Sequence, residues 1–153
     1  MRKCVDLVFI TISSPLKIGI YENKILIQTV TSDEKSSDVL PKIFSELDKK
    51  YEIKALIYAN GPGSFMAIKI AYIFLRTLSI LRNIPLYGAD AFYFNENQPI
   101  KAIGKLFFVK ISSEIVTQKL ETAPEASFEL PSVLDYSKLN TTATPFYGIG
   151  AVG

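Results

Sequence analysis

The sharpest chemical signal in the 153-residue chain is Asn60-Gly61-Pro62-Gly63-Ser64, followed by Lys69. Glycines permit a tight turn, and a helix opened by Ser64 points unpaired backbone N–H groups at an anion. Gly61, Pro62, Gly63, Ser64 and Lys69 are therefore candidates to hold a phosphate or a nucleotide. The pattern is neither a P-loop, since no Gly-Lys-Ser/Thr follows at the required spacing, nor a dinucleotide fingerprint. A purely structural strand-to-helix turn is the simpler reading of the same residues.

Little else suggests catalysis. There is no histidine, so the commonest general base and metal ligand are missing. Ser64 then has only Lys69 as a base, a poor pairing for a nucleophile. Cys4 is the single cysteine. It can build neither a zinc site nor an internal disulfide, and it suits a reducing, cytoplasmic compartment. Beside a strand-like run it reads as a small core residue rather than a reactive thiol. Asp33, Glu34 and Asp38 gather near one helix start, and Glu46, Asp48 and Glu52 near its end. Both groups read as capping or solvated charges. No acid lies between Leu7 and Ile12, where a phosphotransferase of the actin/hexokinase type would need one to hold Mg²⁺. No catalytic residue and no metal site are expected.

The charge balance points the same way. Seventeen basic and 15 acidic residues give a net charge of +2, too little to drive binding to nucleic acid or an anionic membrane. With 48% apolar residues, the chain can bury a real core. The longest apolar stretch, Phe65 to Leu81, contains Lys69 and Arg76, which are costly at a bilayer centre, so it reads as a buried helix. Asp6 interrupts any signal-peptide core.

These residues need elements to position them. Val5 to Ile12, Leu16 to Tyr21 and Lys24 to Thr31 read as strands, the last two paired through a hairpin at Glu22-Asn23. Val39, Leu40, Ile43, Phe44 and Leu47 form one apolar stripe, which predicts a helix. Ser36, Ser37 and Asp38 are its candidate caps, and Pro41 requires it to start at Asp38 or to kink. Ile53 to Ala59 is a strand, Ser64 caps a helix to about Arg82, and Pro85 to Gly88 is a further strand. That alternation predicts an α/β sheet with parallel crossovers. Lys105 to Ile111 and Glu114 to Leu120 pair across Ser112-Ser113. Ser132 to Leu139 reads as a short helix and Phe146 to Val152 as a last strand. The helix from Phe65 is apolar almost all round. One face packs on the sheet, and the other needs neighbouring elements or a second subunit to cover it.

The run from Ala55 through Gly61-Pro62-Gly63-Ser64-Phe65 to Ile68-Lys69-Ile70 resembles the signature of the TsaB (YeaZ-type) family. Val39-Leu40-Pro41 with Ile43, Pro85-Leu86-Tyr87-Gly88, and the tail from Phe146 to Ala151 resemble further family segments. The chain departs from the pattern at Met66-Ala67, Lys69 and Ala71, and Ile10-Thr11-Ile12-Ser13 lacks the family's strand-end Asp. The match is convincing over residues 5–90 and faint beyond.

The resemblance implies an actin/hexokinase-type (ribonuclease H-like) mixed sheet with flanking helices and a truncated second lobe. It divides the chain into an N-terminal lobe at 1–95 and a shortened C-terminal lobe at 96–153. It implies a non-catalytic subunit of the complex that places threonylcarbamoyl on adenosine 37 of tRNA. The partners would be a TsaD-like catalytic paralogue and a TsaE-like ATPase. The chain would pair with itself when alone and meet tRNA only indirectly. It would carry no cofactor, ATP being used by the partner subunits. Val39, Leu40, Ile43, Phe44, Leu47, Ile68, Ala71, Tyr72 and Leu75 would contact the partner, and a bulky charge at Ala71 would break binding while sparing the fold. Two other readings stay open: a small nucleotide-binding phosphotransferase using the Gly61–Ser64 turn, and a homodimeric structural protein unrelated to tRNA.

Overall fold

The computed structural model describes residues 2–122 and 127–147. Strands β1 (Cys4–Ile10), β2 (Leu16–Glu22) and β3 (Ile25–Ser32) open the chain. Helix α1 (Ser36–Lys50), β4 (Glu52–Ala59), α2 (Phe65–Arg82) and β5 (Leu86–Ala89) follow. A 3-10 turn at Ala91–Phe94 leads to β6 (Ile100–Ile103), β7 (Leu106–Ile111) and β8 (Glu114–Lys119).

The first five strands form one sheet in the order β3-β2-β1-β4-β5, and the last three form another, β6-β7-β8. In the larger sheet β4 runs parallel to β1 and β5, whereas β2 runs antiparallel to β1 and β3. This is the mixed α/β sheet the sequence predicts. Its central strand, β1, is nearly continuously apolar because both of its faces are covered. The β2–β3 hairpin turns through Asn23 and Lys24, both at positive φ (50° and 69°), and β7–β8 turns the same way at Ser112 and Ser113. Two successive positive-φ residues match the twist of the flanking strands.

Both helices lie on one face of the sheet. Leu7, Phe9, Leu56 and Tyr58 meet Leu40, Phe44, Ala71 and Leu75 there. On the other face Val8, Ile10 and Ile57 are covered by Phe94, Leu130, Leu134 and Tyr136. Residues 127–147 therefore run back over the first sheet as its cover.

Several sequence expectations need correction. Helix α1 starts at Ser36, not Asp38, and none of Ser36, Ser37 or Asp38 caps it. Its N-cap is Lys35, whose backbone carbonyl accepts from Asp38 N (3.0 Å) and Val39 N (2.9 Å). Pro41 is tolerated inside the helix on its exposed side. Ser132–Leu139 is no helix; only Tyr136–Lys138 forms a 3-10 turn. The edge of β3 claims the preceding backbone, with Leu26 N donating to Ser132 O at 3.0 Å and Leu134 N to Lys24 O at 2.7 Å. Phe146 and Tyr147 belong to no strand, and the remainder of that expected strand lies outside the described residues. Strand β6 carries no signal in the sequence, because four residues are too few for a readable period. Cys4 is exposed rather than buried: it is the first residue of β1, and its thiol donates to Glu52 Oε2 at 3.3 Å.

Candidate functional site

In an open α/β sheet, ligands bind outside the carboxyl ends of the strands. Here those ends run into Thr11 after β1, Asn60 after β4 and Asp90 after β5. Residues 140–147 cross Asn60 and the turn beyond it as a strap. Asn140 exchanges two backbone hydrogen bonds with Gly88, at 2.8 and 2.9 Å. The Asn140 Oδ1 accepts from Ala143 N (3.0 Å) and Thr142 Oγ1 (3.1 Å). That bonding pins Ala143 in a buried, left-handed conformation (φ 55°). Tyr58 OH donates to Ala143 O at 2.6 Å, and burial pushes this phenol well above its ordinary pKa. Asn60 Nδ2 donates to Thr144 O at 2.8 Å, and Phe146 N to Asn60 O at 2.7 Å.

The strap packs directly against the Gly61 turn. Gly61 is at φ +121°, and a Cβ there would overlap the carbonyl oxygen of Phe146. Gly61 and Pro62 are buried, and Gly63 is half-buried. Ser64 is used as the cap of α2, its Oγ accepting from Ala67 N at 3.4 Å. Lys69 lies 6.0 Å over the Phe65 ring. Phe65 itself packs on Tyr147, with ring centroids 4.4 Å apart. The backbone of Phe146 thus occupies the space beside Gly61.

Two polar pairs went unforeseen. Tyr136 OH donates to Asp6 Oδ2 and ties the return segment to the central strand. Burial raises the Asp6 carboxyl pKa, and this hydrogen bond pulls it partly back. Between the two sheets an open cavity of about 530 Å³ is lined by Asp90, Tyr93, Asn97, Lys110 and Lys138 among others. Its main charges neutralise each other, Lys110 Nζ lying 2.6 Å from Asp90 Oδ2. No group of three metal-ligating side chains occurs among the described residues, and no described helix is long and apolar enough to cross a membrane.

The residues expected to contact a partner are mostly part of the core. Val39, Leu40, Ile43, Phe44, Leu47, Ile68, Ala71 and Leu75 are all buried within the chain, and Tyr72 is half-buried. The eight buried side chains are spent within the chain's own core, whereas Tyr72 stays partly accessible. The small side chains of Ala71 and Ser79, both buried, allow α2 to lie close to its neighbours. The opposite side of α2 presents Met66, Ile73 and Ile80 at heptad spacing, exposed by 57%, 54% and 70%, with Leu81 beside them at 75%. Nothing among the described residues covers this stripe. The outer side of α1 exposes Asp38, Lys42, Ser45, Glu46 and Lys49 and is polar.

No protein-family model matches this chain, and no curated protein matches its sequence. Solved structures do resemble it. YeaZ from Pseudomonas aeruginosa superposes with a TM-score of 0.54 at 14% identity, over 78% of this chain and 65% of its own length. A second structure is described as an uncharacterized protein with similarity to peptidase YeaZ from Pseudomonas aeruginosa. It superposes with a TM-score of 0.58 at 14% identity, over 82% of this chain and 71% of its own. The chain has the YeaZ fold. It spans 65% of the length of the first of these structures, which fits a shortened second half.

Within this YeaZ fold, the α2 residues named from the sequence lie on its buried or half-buried side, and the exposed apolar residues lie on the other. The signal lay in residue size. Ala71 and Ser79, small and on one side, mark where a helix approaches other backbone, which leaves Met66, Ile73 and Ile80 outward. The strap carried a weaker signal in Asn140-Thr141-Thr142, residues that bond to nearby backbone and favour turns.

Proposed function

We propose that this chain is a non-catalytic, TsaB-like scaffold subunit that docks a TsaD-like catalytic paralogue through the outer side of α2. One observation carries the reading: a YeaZ-fold chain leaves the apolar stripe Met66–Ile73–Ile80 uncovered. An exposed apolar stripe of this kind marks an interaction surface. The strap over Asn60 and Gly61 supports a scaffold role over nucleotide chemistry at the turn, since a ligand there must first displace Phe146.

In this reading the complex, which includes a TsaE-like ATPase, places threonylcarbamoyl on adenosine 37 of tRNA in the cytoplasm. The chain contributes no reacting group. It stabilises the active form of its partner by binding that form better, and a few kcal/mol of differential affinity suffice.

The test is depletion of this protein in its own cell, followed by mass spectrometry of threonylcarbamoyladenosine in bulk tRNA. A steep fall, restored by the wild-type chain and not by Ile73→Asp, is the expected result. An unchanged level overturns the tRNA reading.

A further inference from the structure

We propose that the free edge of β3 pairs with β3 of a second copy of this chain, antiparallel across a twofold axis, so that the two large sheets become one. The contact is separate from the α2 stripe: α2 packs over β4 and β5, at the other end of the sheet from β3.

An edge strand presents a row of unpaired N–H and C=O groups, and proteins blunt such edges with shortness, charge, proline or cover. Among the described residues, three of the four sheet edges are blunted in this way. Strands β5 and β6 have four residues each; Asn140 closes β5 at Gly88, and β6 carries Lys101. Strand β8 runs from Glu114 to Lys119. Strand β3 differs. Its eight residues, Ile-Leu-Ile-Gln-Thr-Val-Thr-Ser, include no charge, proline or glycine, and most are β-branched. Its bulge, opposite Ile20 and Tyr21, lies near the end that Ser132–Leu134 already covers. That short cover shows the edge accepting an extended segment antiparallel to it, through the Ile25–Val133 bridge. From Ile27 to Ser32, a stretch of about 20 Å, no described strand pairs with the outer side. Ile27, Thr29 and Thr31 are exposed there.

A second copy supplies an occupant of matching chemistry. A twofold axis through Val30 sets Thr29 of one copy opposite Thr31 of the other, and Gln28 opposite Ser32. Such threonine and β-branched pairs stabilise antiparallel neighbours, and none of them opposes like charges. Charge at the ends is complementary. Lys50 Nζ reaches Gln28 Oε1 at 3.4 Å, while Asp33 and Glu34 follow Ser32. The axis therefore brings the ammonium of each copy toward the two carboxylates of the other. Asp33 and Glu34 form no ion pair among the described residues. A twofold contact also closes at two copies. It covers both uncharged edges at once, where an open-ended contact would leave one exposed to aggregation.

The test uses the full chain carrying Ile73→Asp, so that the α2 stripe contributes nothing and failure here leaves the docking reading untouched. Sedimentation velocity across a range of concentrations measures association. Hydrogen exchange at low and high concentration locates it, and circular dichroism checks the fold of each variant. The expected result is a monomer–dimer equilibrium in which exchange at Ile27–Ser32 slows as concentration rises. Adding Thr29→Lys/Thr31→Lys sets lysine opposite lysine across the axis and should weaken the dimer at least about tenfold with the fold retained. A chain that is monomeric at every concentration, or a dimer that the two lysines leave unchanged, overturns the proposal. Protection at Ile27–Ser32 that is independent of concentration means that the chain covers its own edge, and overturns it as well. Open-ended aggregates in place of a dimer contradict the twofold contact. A monomeric chain that binds a synthetic peptide of residues 25–32 replaces the second copy with an extended peptide.

Discussion

The hydroxyl of Tyr58 donates to the carbonyl of Ala143 at 2.6 Å inside the core, joining β4 to a segment 85 residues later in the chain. This bond anchors the strap, because Ala143 has no side chain able to hold it in place. Tyr58→Phe keeps the ring and strands the carbonyl. An unsatisfied buried acceptor costs about 1–3 kcal/mol. Urea denaturation should show that loss, and an unchanged midpoint would mean the strap is held elsewhere.

Gly61→Ala should be worse. A left-handed φ strains alanine by about 1–3 kcal/mol, and the new methyl overlaps the carbonyl oxygen of Phe146. The variant should release the strap. Hydrogen exchange should speed up at the amide of Phe146, which is bonded to Asn60 O. Wild-type protection at that amide would refute the placement of the strap over the turn.

The two sides of α2 should respond oppositely to charge. Ala71→Glu puts a carboxylate into a fully buried site, and the chain should fail to fold. Ile73→Asp lies on the exposed stripe and should change stability by no more than about 0.5 kcal/mol. Thermal melts of the two variants decide the matter. A folded Ala71→Glu protein would make Ala71 available to a partner surface.

Asp6 should make stability fall as pH rises. Burial raises its folded pKa above the unfolded value, about 3.9. Between those two values the native state keeps a proton that the unfolded chain has released. The stabilisation is therefore complete below the unfolded pKa and is lost as pH passes the folded one. Asp6→Asn removes this titration while retaining an acceptor for Tyr136. Relative to wild type, the variant should gain stability through that window and then level off. Parallel denaturation curves across pH, or a gain toward acid, would contradict the assignment.

The ion pair between Arg82 and Asp48 sits at the helix ends, with both side chains partly exposed. Asp48→Ala should cost at most about 1 kcal/mol, as exposed pairs contribute little. The hydrogen bond from Arg82 holds the Asp48 carboxyl below its usual range. Its contribution is present above the unfolded pKa and fades as pH falls toward the folded one. A loss well beyond this at neutral pH would give Asp48 a structural role that its exposure does not support.

Much of the first 90 residues was legible because local periodicity dictated it. The β-branched runs of β1 to β4, the hairpin at Asn23, the apolar stripe of α1 and the Ser64 cap each act within a few residues of chain. The Gly-Pro-Gly-Ser turn likewise announced a strand running into a long helix. Short elements without a period escaped, β6 among them, and so did the return segment, whose backbone pairs with Lys24, Leu26 and Gly88 far away in sequence.

The sequence by itself determined that α2 is apolar on nearly every side and that no histidine is present to serve as a base. Only the tertiary structure decided which side of α2 is buried, and it chose the side of Ala71 and Ser79, where small side chains permit close approach. Only the tertiary structure closed the Gly61 turn. Closure depends on a carbonyl at Phe146 and a hydroxyl at Tyr58, groups that no local pattern brings together.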